Sequence, residues 1–332
     1  MSMLSKLTHR ELIQLAQKRC ITPLSPKFHK GQNGRVCIVG GCEDYTGAPY
    51  FSANATALIG CDMTHVICER DAAPVIKSYS PNLMVHPYLR TGQLGEMSKI
   101  KSLVSRVHVL VIGPGLGRDD GMLGSVKEII RTVLDDHKGQ IPIVIDADGL
   151  YLISHDQETR EMLARFPRGR VIITPNVVEF KRIKDAVGGD SGSLEAGAYV
   201  ASKLQCIVVE KGGEDKIFSP EPAPGAADGR SWLVNSVEGS NKRVGGQGDT
   251  LTGIIACMLA FSRARYDFKL CGDDAEKCDP RMEWLDYAML SCYVGSTVTR
   301  ECAKLAYKAK KRAMQTMDMN DRVGEVYDKL FG

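Results

Sequence analysis

Seven short apolar runs, rich in β-branched residues and each closing on glycine, proline or an acid, most limit the folds open to this chain. They span residues 36–39, 64–68, 84–86, 108–112, 141–145, 171–174 and 206–210. Strands buried on both faces of a parallel sheet read this way, as nearly continuous apolar stretches. Helical patterns fall between most of them, at 47–60, 122–134, 156–165, 178–185 and 193–204. Alternating β and α elements predict an α/β fold: a doubly wound, mainly parallel sheet flanked by helices on both faces. Ligands of such sheets gather at the carboxyl ends of the strands.

After residue 210 the pattern changes. Runs at 216–218 and 231–234 predict a hairpin, joined by a Pro/Ala/Gly-dominated loop at 219–230 that reads as mobile surface. Helices follow at 249–263 and 284–304, with a polar peripheral insertion at 267–280 that carries Cys271 and Cys278. No repeat or linker composition interrupts the chain. The expectation is a helical extension over 1–29, with Leu12, Ile13 and Leu15 among polar residues, and a single domain over 30–332.

Charge and cysteine usage exclude several functions. Lys and Arg number 43 against 40 Asp and Glu. The one basic cluster, KAKKR at 308–312, has no interleaved aromatics and reads as a solvated helix face, so no nucleic-acid partner is expected. The eleven cysteines form neither CxxC nor CxxH groups. That disfavours a disulfide scaffold or zinc site and predicts reduced thiols in a cytoplasmic setting. No apolar stretch reaches 18 residues, so no membrane helix is expected. The N-terminus lacks an apolar core of signal-peptide length, although its mildly basic helix leaves a transit peptide open. Self-association into a homo-oligomer is open too.

The strongest local signal is Val244-Gly245-Gly246-Gln247-Gly248-Asp249, which opens a helix of small and apolar residues. Three glycines in four positions allow positive φ and close backbone approach. Their amides at a helix N-terminus form an anion nest. An acid there would repel a phosphate, but it suits a base that takes a hydroxyl proton while the amides hold a transferring phosphoryl group. The plainer alternative is an N-capping aspartate. No GxxxxGK[ST] sequence occurs, which disfavours a Walker loop. Gly113-Pro114-Gly115-Leu116-Gly117 is one residue short of the dinucleotide fingerprint. It could set amides against a ligand or simply turn strand into helix.

Four more segments sit at strand ends. Asp146 and Asp148 could serve Mg²⁺ or a hydroxyl, or Asp148 could cap a helix. Glu179, at the helix start after Thr174-Pro175-Asn176, could be structural or orient metal-bound water. The turn from Lys211 to Asp215 could meet a nucleotide, and the loop from Gly40 to Pro49 a substrate.

Seven ordered blocks, KGQNGRVCIVGG, YTGAPYFSA, VIGPGLGRD, VIDADGL, TPNVVEF, KGGEDKI and GGQGDTLTG, run from about Lys30 towards the C-terminus. Together they resemble the ATP-dependent NAD(P)H-hydrate dehydratases of the ribokinase-like superfamily, with close similarity to fungal members. The resemblance implies ATP-driven dehydration of the (S) epimer of hydrated NADH and NADPH, with ATP as co-substrate and Mg²⁺ as cofactor. It implies that Gly117, Asn176, Val177, Val178, Glu179, Phe180, Lys181 and Arg182 contact the hydrated dinucleotide, and that Asp249 meets its reacting hydroxyl as catalytic base. It implies an ATP site of Lys211, Gly212, Gly213, Glu214, Asp215, Gly239, Ser240, Asn241, Lys242, Arg243, Val244, Gly245, Gly246, Gln247 and Gly248. Metal ligands are left unassigned. Two departures stand out. Val244 replaces the cysteine common in animal relatives. Asn176 stands where bacterial, ADP-using relatives often have histidine, as expected of the ATP-using branch. The main rival is a vitamin or sugar kinase of the same superfamily, which would leave a stable phosphorylated product. A non-catalytic nucleotide binder and an NAD-dependent dehydrogenase are weaker rivals.

Overall fold

The computed structural model describes residues 4–189, 195–221, 232–270 and 282–332. Its strands are β1 (Arg35–Val39), β2 (Met63–Glu69), β3 (Met84–Leu89), β4 (Val109–Ile112), β5 (Ile143–Ile145), β6 (Val171–Ile173), β7 (Ile207–Glu210), β8 (Asp215–Phe218) and β9 (Trp232–Asn235). The helices are α1 (His9–Arg19), α2 (Gly47–Ile59), α3 (Ala72–Tyr79), α4 (Met97–Val104), α5 (Asp120–Asp135), α6 (Asp148–His155) and α7 (Gln157–Leu163). Then come α8 (Val177–Ala186), α9 (Ala196–Leu204), α10 (Gln247–Tyr266), α11 (Trp284–Lys310), α12 (Thr316–Asn320) and α13 (Val323–Phe331).

The sheet order is β3-β2-β1-β4-β5-β6-β7-β8-β9. The first seven strands are parallel, and the predicted hairpin of β8 and β9 adds an antiparallel edge. Chain direction across the sheet reverses between β1 and β4, so the loops after these strands flank the switch point. Strand residues alternate between two cores. Val36, Ile38, Val109, Val111 and Val144 pack with α2, α10 and α11, whereas Cys37, Val39, Leu110, Ile112 and Ile145 pack with α5 and its neighbours. Each such side chain, fully buried, contributes about 1.5–3 kcal/mol. Burial on both faces explains the unbroken apolar runs.

Every residue of α10 from Asp249 to Arg265 is buried, which makes it the central helix of its layer. Small residues permit this. A Cβ on Gly253 would lie 2.1 Å from the Ser52 carbonyl oxygen, so α10 and α2 meet backbone to backbone there. The hydroxyls of Ser52 and Thr252 pair at 3.1 Å, and Thr56 donates to the Gly253 carbonyl at 3.0 Å. The cost of burying these polar groups is thereby offset.

Several boundaries differ from the sequence reading for physical reasons. β3 runs on to Leu89 through Pro87, which is tolerated because β3 is an edge strand. β5 starts after Pro142, which has no N–H to give the ladder. The helices that the sequence reading lacks, α3, α4, α6, α12 and α13, have five to nine residues each, too short for a clear apolar period. α1 begins with a Thr8–Glu11 capping box and buries Leu12, Ile13 and Ala16, with Leu15 half-buried, against α11 and α13. The surface loop expected at 219–230 lies outside the described residues from 222 onward. So do Ser193 at the start of the expected helix, and 271–280 of the insertion with Cys271 and Cys278. The nine described cysteines are free thiols.

Candidate active site

α10 starts without a side-chain cap. Its N-cap is Gly246, at φ +97°, where a Cβ would strike the Phe51 ring and Thr316. The first N–H groups of the helix are therefore left to a ligand, and the helix dipole favours an anion there. The N-cap reading of Asp249 is thus corrected: it is the third residue of the helix, and its carboxylate caps nothing. A Cβ on Gly248 would sit 3.1 Å from Asp146 Oδ2 and 3.2 Å from Lys211 Nζ. Glycine at that point lets the helix end touch an ion pair.

That pair joins two strand ends. Lys211, after β7, donates to Asp146 Oδ1, after β5, at 2.8 Å, and the Asp146 side chain is 4% exposed. Asp249 lies beside them and is 8% exposed. Burial pushes its pKa up to about 8, Asp146 and Glu179 add repulsion, and Lys211 opposes them. Burial works against charge on Lys211, but Asp146 and Glu179 hold its pKa above the ordinary lysine value. Burial likewise raises Glu179, with Lys211 pulling the other way. Lys211 thus serves three carboxylates, with Arg182 adding attraction at Glu179. A carboxyl poised near neutrality beside an anion nest is suited to taking up a proton.

The acids of the 145–149 segment part company. Ala147 between them has φ +49° and ψ −120°, a strained backbone for a residue with a Cβ. The turn sends Asp146 to Lys211 and Asp148 the other way, where it accepts from the Gly117 N–H at 3.0 Å and Arg118 Nε at 3.2 Å. Asp148 pins the Gly113–Gly117 turn, so the two do not act as a carboxylate pair. Among the described residues no cluster of three His, Cys, Asp or Glu forms a metal cage.

α8 opens with a complete capping box. Asn176 accepts from the Val178 and Glu179 amides at 2.9 and 3.0 Å, and Glu179 Oε2 accepts from the Asn176 N–H at 2.8 Å. Asp215 is also structurally committed. It accepts from Ser296 Oγ at 2.6 Å, from Arg300 Nε and Nη2, and from the Gly212 N–H. Arg300 further donates to the Gly212 and Gly213 carbonyls at 2.9 and 2.7 Å, fixing the turn after Lys211.

A cleft of about 1180 Å³ opens beside the α10 N-terminus. Of the sequence-assigned nucleotide residues, Lys211, Gly212, Gly213, Asp215, Gly239, Ser240, Asn241, Arg243, Val244, Gln247 and Gly248 line it; Glu214, Lys242, Gly245 and Gly246 do not. Asn176, Val177 and Val178 also line it, the two valines being 69% and 59% exposed. Glu179 and Arg182 instead border a hollow of about 120 Å³ with Arg118, Asp148 and Tyr151. Gly117 adjoins that hollow through Asp148. Asp249 lines neither cavity directly. Its neighbour Gly248 faces the cleft, and Glu179, whose charge reaches it, faces the hollow. Two assigned residues fall outside this constellation. Phe180 turns its ring into the core, because it follows the α8 face that also buries Ile183, and Lys181 points to solvent. Sequence reasoning missed Arg300, Lys304, Tyr307, Lys308 and Lys311, all on the cleft wall. The basic run read as a solvated helix face therefore borders the cleft.

Residues 36–319 match the family model for NAD(P)H-hydrate dehydratase. The chain is 65% identical to the ATP-dependent (S)-NAD(P)H-hydrate dehydratase of Saccharomyces cerevisiae, covering 99% of this chain and all of that protein. Its fold is similar to a ribokinase-like superfamily protein from Enterococcus faecalis (TM-score 0.69, 22% identity, 97% and 95% covered). It is also similar to the Bacillus subtilis ADP/ATP-dependent NAD(P)H-hydrate dehydratase co-crystallised with ATP/Mg²⁺ (TM-score 0.63, 21% identity, 96% and 97% covered). Nest, buried acid and full-length likeness agree, and the chain belongs to the family of ATP-dependent (S)-NAD(P)H-hydrate dehydratases.

Proposed function

We propose that this chain restores damaged nicotinamide cofactors, converting (S)-hydrated NADH and NADPH to NADH and NADPH while ATP becomes ADP and phosphate. The observation that carries the mechanism is the uncapped N-terminus of α10, with buried Asp249 beside Asp146 and Lys211. The 1180 Å³ cleft exceeds the roughly 300–1,000 Å³ of ordinary ligand pockets, so a triphosphate nucleotide fits it. The γ-phosphate lies at the amides of Gly246, Gln247 and Gly248, and the hydrated ring lies on the Asp249 side.

Hydroxide is a poor leaving group. Asp249 takes the proton of the ring hydroxyl as its oxygen attacks the γ-phosphorus and the bond to ADP breaks. The amides and Lys211 stabilise the charge on the transferring group. The ring nitrogen's lone pair then expels phosphate, and loss of a proton from the adjacent carbon restores the double bond. The hydroxyl oxygen ends in phosphate. For Mg²⁺ the donor set fits: Asp146 gives Lys211 one oxygen and keeps Oδ2 towards Gly248, and Glu179 stands nearby. Asp146 would hold the ion together with phosphate oxygens and water, and the ion when bound neutralises phosphate charge.

No helix among the described residues is long and apolar enough to cross a membrane. A cytoplasmic setting, small-molecule substrates and no nucleic-acid partner fit this chemistry. To test it, purified protein is mixed with acid-hydrated NADH, Mg²⁺ and ATP, and reduced-nicotinamide absorbance and free phosphate are followed. Equal, ATP-dependent recovery of both is the expected result. A stable phosphorylated product without NADH would make the protein a kinase instead.

A further inference from the structure

The amides that would hold the phosphoryl group are themselves held by a remote part of the chain. Thr316, the first residue of α12, is 3% exposed and donates its hydroxyl to the Gly245 carbonyl. Asn320, the last residue of α12, is fully buried; it accepts from Thr250 Oγ1 at 2.8 Å and donates to the Phe51 carbonyl at 3.2 Å. The single Thr250 hydroxyl proton goes to Asn320 Oδ1, which can only accept and lies at 2.8 Å, nearer than the Gly246 carbonyl at 3.2 Å. Phe51 closes the arrangement, since it and Thr316 leave no room for a side chain on Gly246.

Peptide geometry converts these contacts into aim. In a planar trans peptide the C=O and N–H point in opposite directions. Tying the Gly245 carbonyl to Thr316 therefore turns the Gly246 N–H away from α12. The Gly246 carbonyl, bonded inside α10, turns the Gln247 N–H outward in the same way. Glycine at φ +97° would otherwise let this turn rotate cheaply.

We propose that Thr316 and Asn320 are positioning residues for phosphoryl transfer, with α12 acting as a brace that sets the direction of the nest amides. The inference rests on the function proposed above. Valine at 316 keeps the branched shape of the threonine side chain and removes only the hydroxyl that reaches the Gly245 carbonyl. Thr316→Val should consequently disturb aim far more than folding. The test compares wild type with Thr316→Val, Thr316→Ala and Thr316→Ser, measuring kcat, KM for ATP, KM for hydrated NADH, and Tm. Expected for Val and Ala is a loss of about tenfold in kcat/KM for ATP, within the range that small misplacement costs. KM for hydrated NADH should stay unchanged, Tm should stay near wild type, and Ser should restore activity. Wild-type kinetics in Val and Ala would overturn the brace. So would losses that merely follow Tm and fall equally on both substrates. If wild type itself shows no ATP-driven recovery of NADH, the proposed function fails instead, which keeps the two failures distinct.

Discussion

Helices α8 and α10 begin at the same edge of the sheet, and each carries an acid at its third position, Glu179 and Asp249. In α8 the acid is spent. Asn176 caps two amides and Glu179 returns a bond to the Asn176 N–H, so the helix end is satisfied by its own side chains. In α10 the cap is glycine, no side chain reaches back, and both amides and acid remain available. The identity of the N-cap residue decides whether an acid at this position supports a helix or performs chemistry. Burial sharpens the contrast, because Asp249 is held near neutrality at a pKa of about 8.

The largest expected difference is in turnover. Asp249→Asn should lower kcat by about 10²–10⁴ while ATP still raises Tm, whereas Glu179→Gln should lose less than about tenfold in single-turnover rate. Equal losses would erase the contrast. Next comes Lys211→Met. It removes the cation that restrains the Asp249 pKa, so the alkaline rise in rate should shift above about 8, by one unit for each 1.36 kcal/mol of lost attraction. A pH–rate profile that does not move would detach Lys211 from the base.

A stability effect of opposite sign follows. Asp249 titrates near 8 when folded, against 3.8 ordinarily, so the folded chain holds an extra proton across that window. Its contribution to stability therefore falls as pH rises from about 4 to 8 and then levels off. Asp249→Asn should melt above wild type, by about 2–5 °C near pH 8 and by little near pH 4; differential scanning calorimetry across this range checks it. The smallest effect belongs to the spent cap: Asn176→Ala should destabilise by about 1 kcal/mol in urea titration.

Much of this was legible in the chain. Strands covered on both faces must be apolar throughout, so β1 to β7 could be read in outline. The glycine density before Asp249 marked the nest, because few other sequences tolerate such backbone. What stayed hidden depends on distant partners. Nothing near Thr316 points to Gly245, and Arg300 reads as one more charge on a long helix until it meets Gly212, Gly213 and Asp215. Phe180 shows the converse: within a segment carried over whole from the family, the helix period sends this ring to the core.

The most direct test is the pH dependence of kcat/KM at subsaturating concentrations of both substrates, which reports the free enzyme. The account predicts that the rate climbs tenfold per pH unit, levels off above about 8, and loses this limb in Asp249→Asn. A wild-type profile already flat from about pH 5 upward would mean that the carboxyl of Asp249 is not held near neutrality as the proton acceptor, and would contradict it.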